Sequence, residues 1–247
     1  MGQHGEYGPL VTRPMVRGAV SALCLTLWPL AAGAECRLAL LLALDVSASV
    51  DETEYTLQRD GLAAALNRPL IRRAILEGAP GEVAIAVYEW SGRYHQTIVL
   101  DWTMLDSHGA IDGAVATIAR TQRSYSNWPT ALGYSLGFGA GMLSRGPECL
   151  RQVIDVSGDG INNEGFGPEL AYANFPFDEV TVNGLVVEGR DAALVDYYLN
   201  EVMRGPASFV EIALGFDDFE DSMVRKLFRE INGLSVGWLQ EDGWFPG

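Results

Sequence analysis

The sequence predicts an α/β protein, a doubly wound, mostly parallel six-stranded sheet with helices on both faces. Three observations lead there. Short, continuously apolar runs recur along the chain, the pattern of strands buried on both faces. Between them lie stretches whose apolar residues stand three or four apart. The two kinds alternate, apart from one hairpin near the start, so most strand connections must be crossovers.

Residues 37–45, RLALLLALD, read as the first strand. Residues 51–77 are mostly helical: Asp51 can cap, Glu54 follows three residues later, and Leu62 and Leu66 lie one turn apart. GEVAIAVYEW (81–90) is the second strand and YHQTIVL (94–100) the third, with Ser91-Gly92-Arg93 as a tight turn between them. Ile111, Val115 and Ile118 mark a helix face, TQRSYSNWP (121–129) is a loop, and Leu132, Leu136, Gly139 and Leu143 mark the next helix. RQVIDVS (151–157) is the fourth strand and GDGINNEGFGP (158–168) its loop. Residues 179–189 contain the fifth strand, and Val195, Tyr198, Leu199 and Val202 mark a helix. SFVEIAL (208–214) is the sixth strand, Val224, Leu227, Phe228 and Ile231 give the last helix, and residues 238–247 read as loop. No internal repeat or low-complexity linker interrupts the pattern, so one domain is expected over residues 35–247.

Residues 1–34 read as a signal peptide. Arg13 and Arg17 form a basic start, GAVSALCLTLWPLAAGA follows, and Ala32-Gly33-Ala34 is a small-residue cleavage site with Glu35 as the new N-terminus. A retained anchor is the alternative. Pro29, the small residues and the short span argue against it. The expectation is an exported protein, periplasmic or secreted, with no stable membrane insertion after cleavage. Composition narrows the partners. At 48% hydrophobic the chain has ample core material, and a formal charge of −15 makes nucleic acid a poor partner. Cations, or proteins with basic patches, suit that charge better, although it also serves solubility. Of three cysteines, Cys24 leaves with the leader, and the remaining pair, Cys36 and Cys149, suggests a disulfide in an exported protein. Each precedes an apolar run. If those runs are neighbouring parallel strands, the two cysteines share one sheet edge within bridging range.

The chemistry gathers at DVSAS (45–49), where the first strand stops at Asp45 and hydroxyls follow at Ser47 and Ser49. The fourth run ends at Asp159. In an open parallel sheet both acids face the edge where ligands bind. Two carboxylates side by side repel, and a cation removes the repulsion. Mg²⁺ takes about six oxygens at roughly 2.1 Å, and alternating serines on a tight loop can turn such oxygens to one point. Thr130, at the head of a helix, is placed to add a third hydroxyl.

DVSAS (45–49), TALG (130–133) and SGDG (157–160), in that order, resemble the metal-ion-dependent adhesion site of von Willebrand factor type A domains, relatives of the integrin I domains. The resemblance covers roughly residues 36–232. EWSG (89–92) and DVSGDGINN (155–163) are similar to a group of exported bacterial von Willebrand A-like proteins of unknown function, domain of unknown function 1194. The resemblance implies strand order 3-2-1-4-5-6 with strand 3 antiparallel, which makes strands one and four neighbours and supports the Cys36–Cys149 bridge. It implies Mg²⁺ or Mn²⁺ held by Ser47 and Ser49 directly, by Thr130 directly or intermittently, and by Asp45 and Asp159 largely through water. It implies a position left for a carboxylate from a partner protein, and a last helix that slides in relatives whose affinity switches. Trp128 and Pro129 stand where many relatives have a glycine-rich turn, and Ser126-Asn127 is an alternative to Thr130, whose TALG spacing fits better.

Other features have plainer readings. Asp155 is expected to be a satisfied buried acid beneath the site. His95 and His108 are expected to serve surface or core roles, so a Ser-His-Asp hydrolase lacks its base. Neither a G-x-S-x-G elbow nor a phosphate-binding glycine loop occurs. DVSAS has Ser47 where an aspartate-based phosphotransferase wants a second acid. The expectation is therefore a binding module and not an enzyme, with a metal-dependent phosphate or ester hydrolase as the alternative. Tyr125, Trp128 and Phe166, on loops around the expected ion, are candidate partner contacts or loop packing.

Overall fold

The computed structural model describes residues 36–187 and 191–233, together with positions 1, 2, 5 and 8. The chain divides into two units, Met1–Ala32 and Gly33–Gly247, and every element below belongs to the second. The expected cleavage site and the loop over 238–247 lie outside the described residues.

Strand β1 (Cys36–Asp45) is buried at every position but its first, as its unbroken apolar run requires. It pairs in parallel with β2 (Glu82–Trp90) on one side and β4 (Gln152–Gly158) on the other. The sheet continues through β3 (Gln96–Met104), antiparallel to β2, and through β5 (Val180–Val186) and β6 (Val210–Ile212), both parallel. The order is β3-β2-β1-β4-β5-β6. Helices α1 (Glu52–Asn67), α2 (Pro69–Glu77), α3 (His108–Arg120) and α7 (Phe219–Asn232) cover one face, where Leu38, Leu40, Leu42 and Leu44 meet Leu62, Ile111 and Phe219. Helices α4 (Leu132–Ser144), α5 (Pro168–Asn174) and α6 (Ala192–Tyr197) cover the other, where Ala39, Leu41 and Ala43 meet Leu132, Leu136 and Tyr198. Alternate side chains of one strand thus feed two cores. Among the described residues no helix is long and apolar enough to cross a membrane.

Cys36 and Cys149 form a disulfide with Cα atoms 4.5 Å apart. It ties the start of β1 to the approach to β4, and the Leu150 amide donates to the Cys36 carbonyl beside it at 2.9 Å.

The observed elements depart from the sequence reading where local backbone chemistry intervenes. The helical stretch over 51–77 breaks at Arg68, which is extended because Pro69 follows. Asp51 caps α1 with a full capping box to Glu54. The third strand begins two residues late and runs on to Met104, because the turn reaches His95, whose amide donates to the Gly92 carbonyl. Helix α5 begins at Pro168, the last residue of the segment read as loop, and runs on where the sequence reading assigned no element. Its seven residues are too few to display a helical period. The helix read through Val202 is α6 followed by one π-helical turn, Tyr198–Val202, with the Met203 amide donating to the Tyr198 carbonyl.

Asp155 is buried as expected but not fully satisfied: its Oδ1 is ion-paired, while its Oδ2 has no hydrogen-bond partner. Lys226 of α7, fully buried, lies 3.1 Å from Asp155 and 2.9 Å from Glu230. Asn183 of β5 donates to Glu230 at 2.8 Å, and the Arg151 guanidinium donates to the Glu230 carbonyl at 2.7 Å. Two acids share one ammonium. Burial pushes Asp155 up to about 8, although Lys226 pulls the other way, and both acids hold Lys226 protonated against its own burial.

Candidate metal centre

The β1–β4 register sets Leu44 opposite Ser157, so Asp45 and Asp159 emerge together at the carboxyl edge of the sheet. The chain then turns sharply. The Ser47 amide donates to Asp45 Oδ1 at 2.8 Å, and the Val50 amide donates to the Ser47 carbonyl at 3.1 Å. This turn brings the Ser47 and Ser49 hydroxyls to 3.1 Å of each other. The Ser49 hydroxyl reaches Asp159 Oδ1 at 2.8 Å, and the Thr130 hydroxyl reaches Ser47 Oγ at 3.2 Å. Asp45, Ser47 and Thr130 are buried, Asp159 is half-buried and Ser49 is exposed, so the cluster opens to solvent on one side.

These spacings test whether a cation fits. Two metal–oxygen bonds of about 2.1 Å at right angles hold their oxygens about 3.0 Å apart. The three observed separations, 2.8 to 3.2 Å, bracket that value. A second observation points the same way. Asp45 Oδ2 is buried without a hydrogen-bond partner. Burial, and then repulsion from Asp159, push the Asp45 carboxyl up to about 8 despite the Ser47 amide. A cation beside the two acids relieves both effects. Hydroxyl and carboxylate oxygens suit a hard ion. Among the described residues no three His, Cys, Asp or Glu side chains converge.

Several side chains that the sequence reading did not single out hold this loop. Arg123 clamps it, one guanidinium nitrogen donating to the carbonyls of Val46 (3.1 Å), Ser47 (3.0 Å) and Val50 (2.6 Å). Gln58 of α1 donates to the Asp45 carbonyl at 2.9 Å. Asn163 accepts from the Thr130 amide at 2.9 Å, and its own amide donates back to the Thr130 carbonyl at 2.9 Å. The one available signal was residue type: polar side chains in the 121–129 and 158–168 loops that no core or turn requirement explains. The alternative pair, Ser126 and Asn127, is exposed and bonds internally.

The aromatic loop residues separate into two kinds. Trp128 is 46% exposed, and its carbonyl accepts from the Ala48 amide at 2.8 Å. Tyr125 and Phe166 are partly buried against the two cores. His95, expected to serve a surface or core role, stacks on Trp128 with ring centroids 3.8 Å apart and meets Tyr125 edge-on. It therefore supports the loop beside the hydroxyl cluster. His108 lies against Arg72 at the start of α3.

The strand order and flanking helices define a von Willebrand A-like fold. Proximal thread matrix protein 1 from the mussel byssus has a similar structure, with a TM-score of 0.59 and 11% identity over 81% of this chain and 49% of that one. Another crystal structure of that protein is described as having a zinc-occupied MIDAS motif, with a TM-score of 0.54 and 13% identity over 81% of this chain and 50% of that one. PilB minor pilin from Streptococcus sanguinis gives 0.58 and 11% over 81% and 62%, and a von Willebrand factor type A protein from Catenulispora acidiphila gives 0.55 and 13% over 80% and 43%. At such identities these likenesses show the fold, and this chain spans about half the length of most of those proteins. No curated protein sequence matches it. Within the von Willebrand A-like class, the chain belongs to the family described as Protein of unknown function (DUF1194), whose pattern it matches over residues 35–235.

Proposed function

We propose that this chain is an exported, divalent-cation-dependent binding module that grips an acidic side chain of a partner protein. The observation that carries the reading is the convergence of Ser47, Ser49, Thr130 and Asp159 oxygens at 2.8 to 3.2 Å above a buried Asp45. Ser47, Ser49 and Thr130 offer neutral oxygens to Mg²⁺ or Mn²⁺, while Asp45 and Asp159 supply the charge. An ion so held supplies an electrophilic position for an outside carboxylate. The exposed side at Ser49 leaves an approach for that group, and Trp128 beside the Ser47–Ser49 loop, with His95 and Tyr125 packed against each other next to it, offers an aromatic contact, while Phe166 packs on Tyr134. The Cys36–Cys149 bridge suits an oxidising compartment, periplasmic or extracellular.

A pull-down from the envelope of the source cells tests the reading. The partner should be retained in Mg²⁺ or Mn²⁺, released by EDTA and absent with Asp45→Ala. A partner retained equally in EDTA overturns it. Steady turnover of a generic phosphate ester that Ser47→Ala abolishes would establish a hydrolase instead.

A further inference from the structure

Near the Asp45 carboxylate stands a buried tyrosine. Tyr198 is fully buried, yet its hydroxyl has no hydrogen-bond partner. Buried tyrosine hydroxyls ordinarily find one. Asp45 Oδ2 is likewise buried and unpartnered. The two atoms converge on one point: a Cβ added at Gly158 would stand 2.5 Å from the Tyr198 hydroxyl and 3.0 Å from Asp45 Oδ2.

Three features of the chain make room for this approach. Gly158 of β4 carries no side chain to occupy the space that both oxygens adjoin. Gly184 of β5, on the neighbouring strand, admits the ring, since a Cβ there would lie 2.7 Å from Tyr198 Cδ1. The π-helical turn begins at Tyr198 itself, and such turns re-aim side chains relative to the helix before them. A phenylalanine would fill the same apolar space, so packing alone accounts for the ring and not for the hydroxyl.

We infer that Tyr198 is a positioning residue of the metal centre, its hydroxyl donating to Asp45 Oδ2 in the metal-loaded protein. The Ser47 amide already holds Oδ1. A donor on the second oxygen fixes the plane of the carboxylate, as outer-shell donors do for metal-binding acids. This inference rests on the metal-binding reading above and adds to it.

The test compares the wild-type protein with Tyr198→Phe in two measurements: thermal unfolding in EDTA, and Mn²⁺ titration by calorimetry. The expected result is an unfolding midpoint unchanged or raised in EDTA, since a buried unpartnered hydroxyl is gone, together with Mn²⁺ affinity lowered about 10- to 100-fold. Unchanged Mn²⁺ affinity overturns the inference. So does a fall in affinity that accompanies a lowered midpoint in EDTA, which marks a packing role. Wild-type protein that takes up no Mn²⁺ overturns the metal reading itself, and the inference with it.

Discussion

Asp45→Asn should raise the stability of the metal-free protein while abolishing its response to metal. Asp45 is fully buried, one of its oxygens has no partner, and Asp159 repels it. An amide keeps the shape and can still accept from the Ser47 amide through Oδ1. It removes the charge, and its nitrogen can donate towards the Tyr198 hydroxyl. A buried polar group left unpartnered costs about 1–3 kcal/mol, more when charged. For a domain of this size each kcal/mol moves the midpoint by roughly 2–4 °C. The variant should therefore melt several degrees above wild type in EDTA at pH 8.5, above the raised pKa of about 8 where the wild-type carboxyl is charged. Mn²⁺ at a hundredfold its dissociation constant should stabilise wild type by about 2.7 kcal/mol and leave the variant unmoved. Thermal unfolding followed by circular dichroism reads both. A variant that melts below wild type in EDTA, yet keeps its Mn²⁺ shift, refutes the reasoning.

Further outcomes follow from the same geometry. Gly158→Ala should weaken Mn²⁺ binding and lower the midpoint, because its Cβ meets the Tyr198 hydroxyl; adding Tyr198→Phe should restore part of the stability in a double-mutant cycle. Lys226→Met should cost about 3–5 kcal/mol in urea denaturation at pH 9, above the raised Asp155 value of about 8, since it then leaves the ionised Asp155, and Glu230 beside it, buried without their cation. Asp155, raised from the ordinary 3.8 to about 8 by burial, keeps its proton in the folded state over a range where the unfolded chain has lost it; its contribution is complete below about pH 4, and stability falls as pH rises towards 8. Asp155→Asn should flatten that fall, read from urea midpoints at pH 5 and pH 8.

Much of this architecture is written in residue patterns. The buried strands announce themselves because a parallel strand covered on both faces has no polar side to alternate with. That DVSAS, Thr130 and Asp159 come together was legible from hydroxyls at fixed spacing beside a strand-ending acid and from a second apolar run that ends at Asp159. The bridging cysteines were legible from their places before two such runs. What escaped depends on tertiary approach. Nothing near Arg123 in the chain tells that its guanidinium will reach the carbonyls of Val46, Ser47 and Val50, since the contact closes across more than seventy residues. A turn over Ser91-Gly92-Arg93 gives no sign that His95 approaches the oxygen cluster. Two further residues of turn carry its ring onto Trp128. Tyr198 looked like one apolar residue on a helix face, and only the π turn and the two glycines reveal its aim.

Two buried acids of the central strands differ in the cation beside them. Asp155 lies on the face covered by α7, where Lys226 supplies a cation from within the chain. Asp45 lies on the opposite face, where β4 offers a glycine and α6 leads into a tyrosine, and no lysine or arginine forms an ion pair with it among the described residues. Arg123, the cation that acts on Asp45, spends its guanidinium on backbone carbonyls. Selection for stability alone would favour a partner like Lys226 at both positions, or an apolar residue at each. Retaining a buried carboxylate without its own cation, beside three hydroxyls and a second acid, is intelligible if the missing positive charge comes from solution. An apolar substitution of the acid separates the cases: as pure scaffold, Asp45→Leu should be tolerated or stabilising and leave partner capture intact, whereas a cation site predicts capture lost with the fold retained.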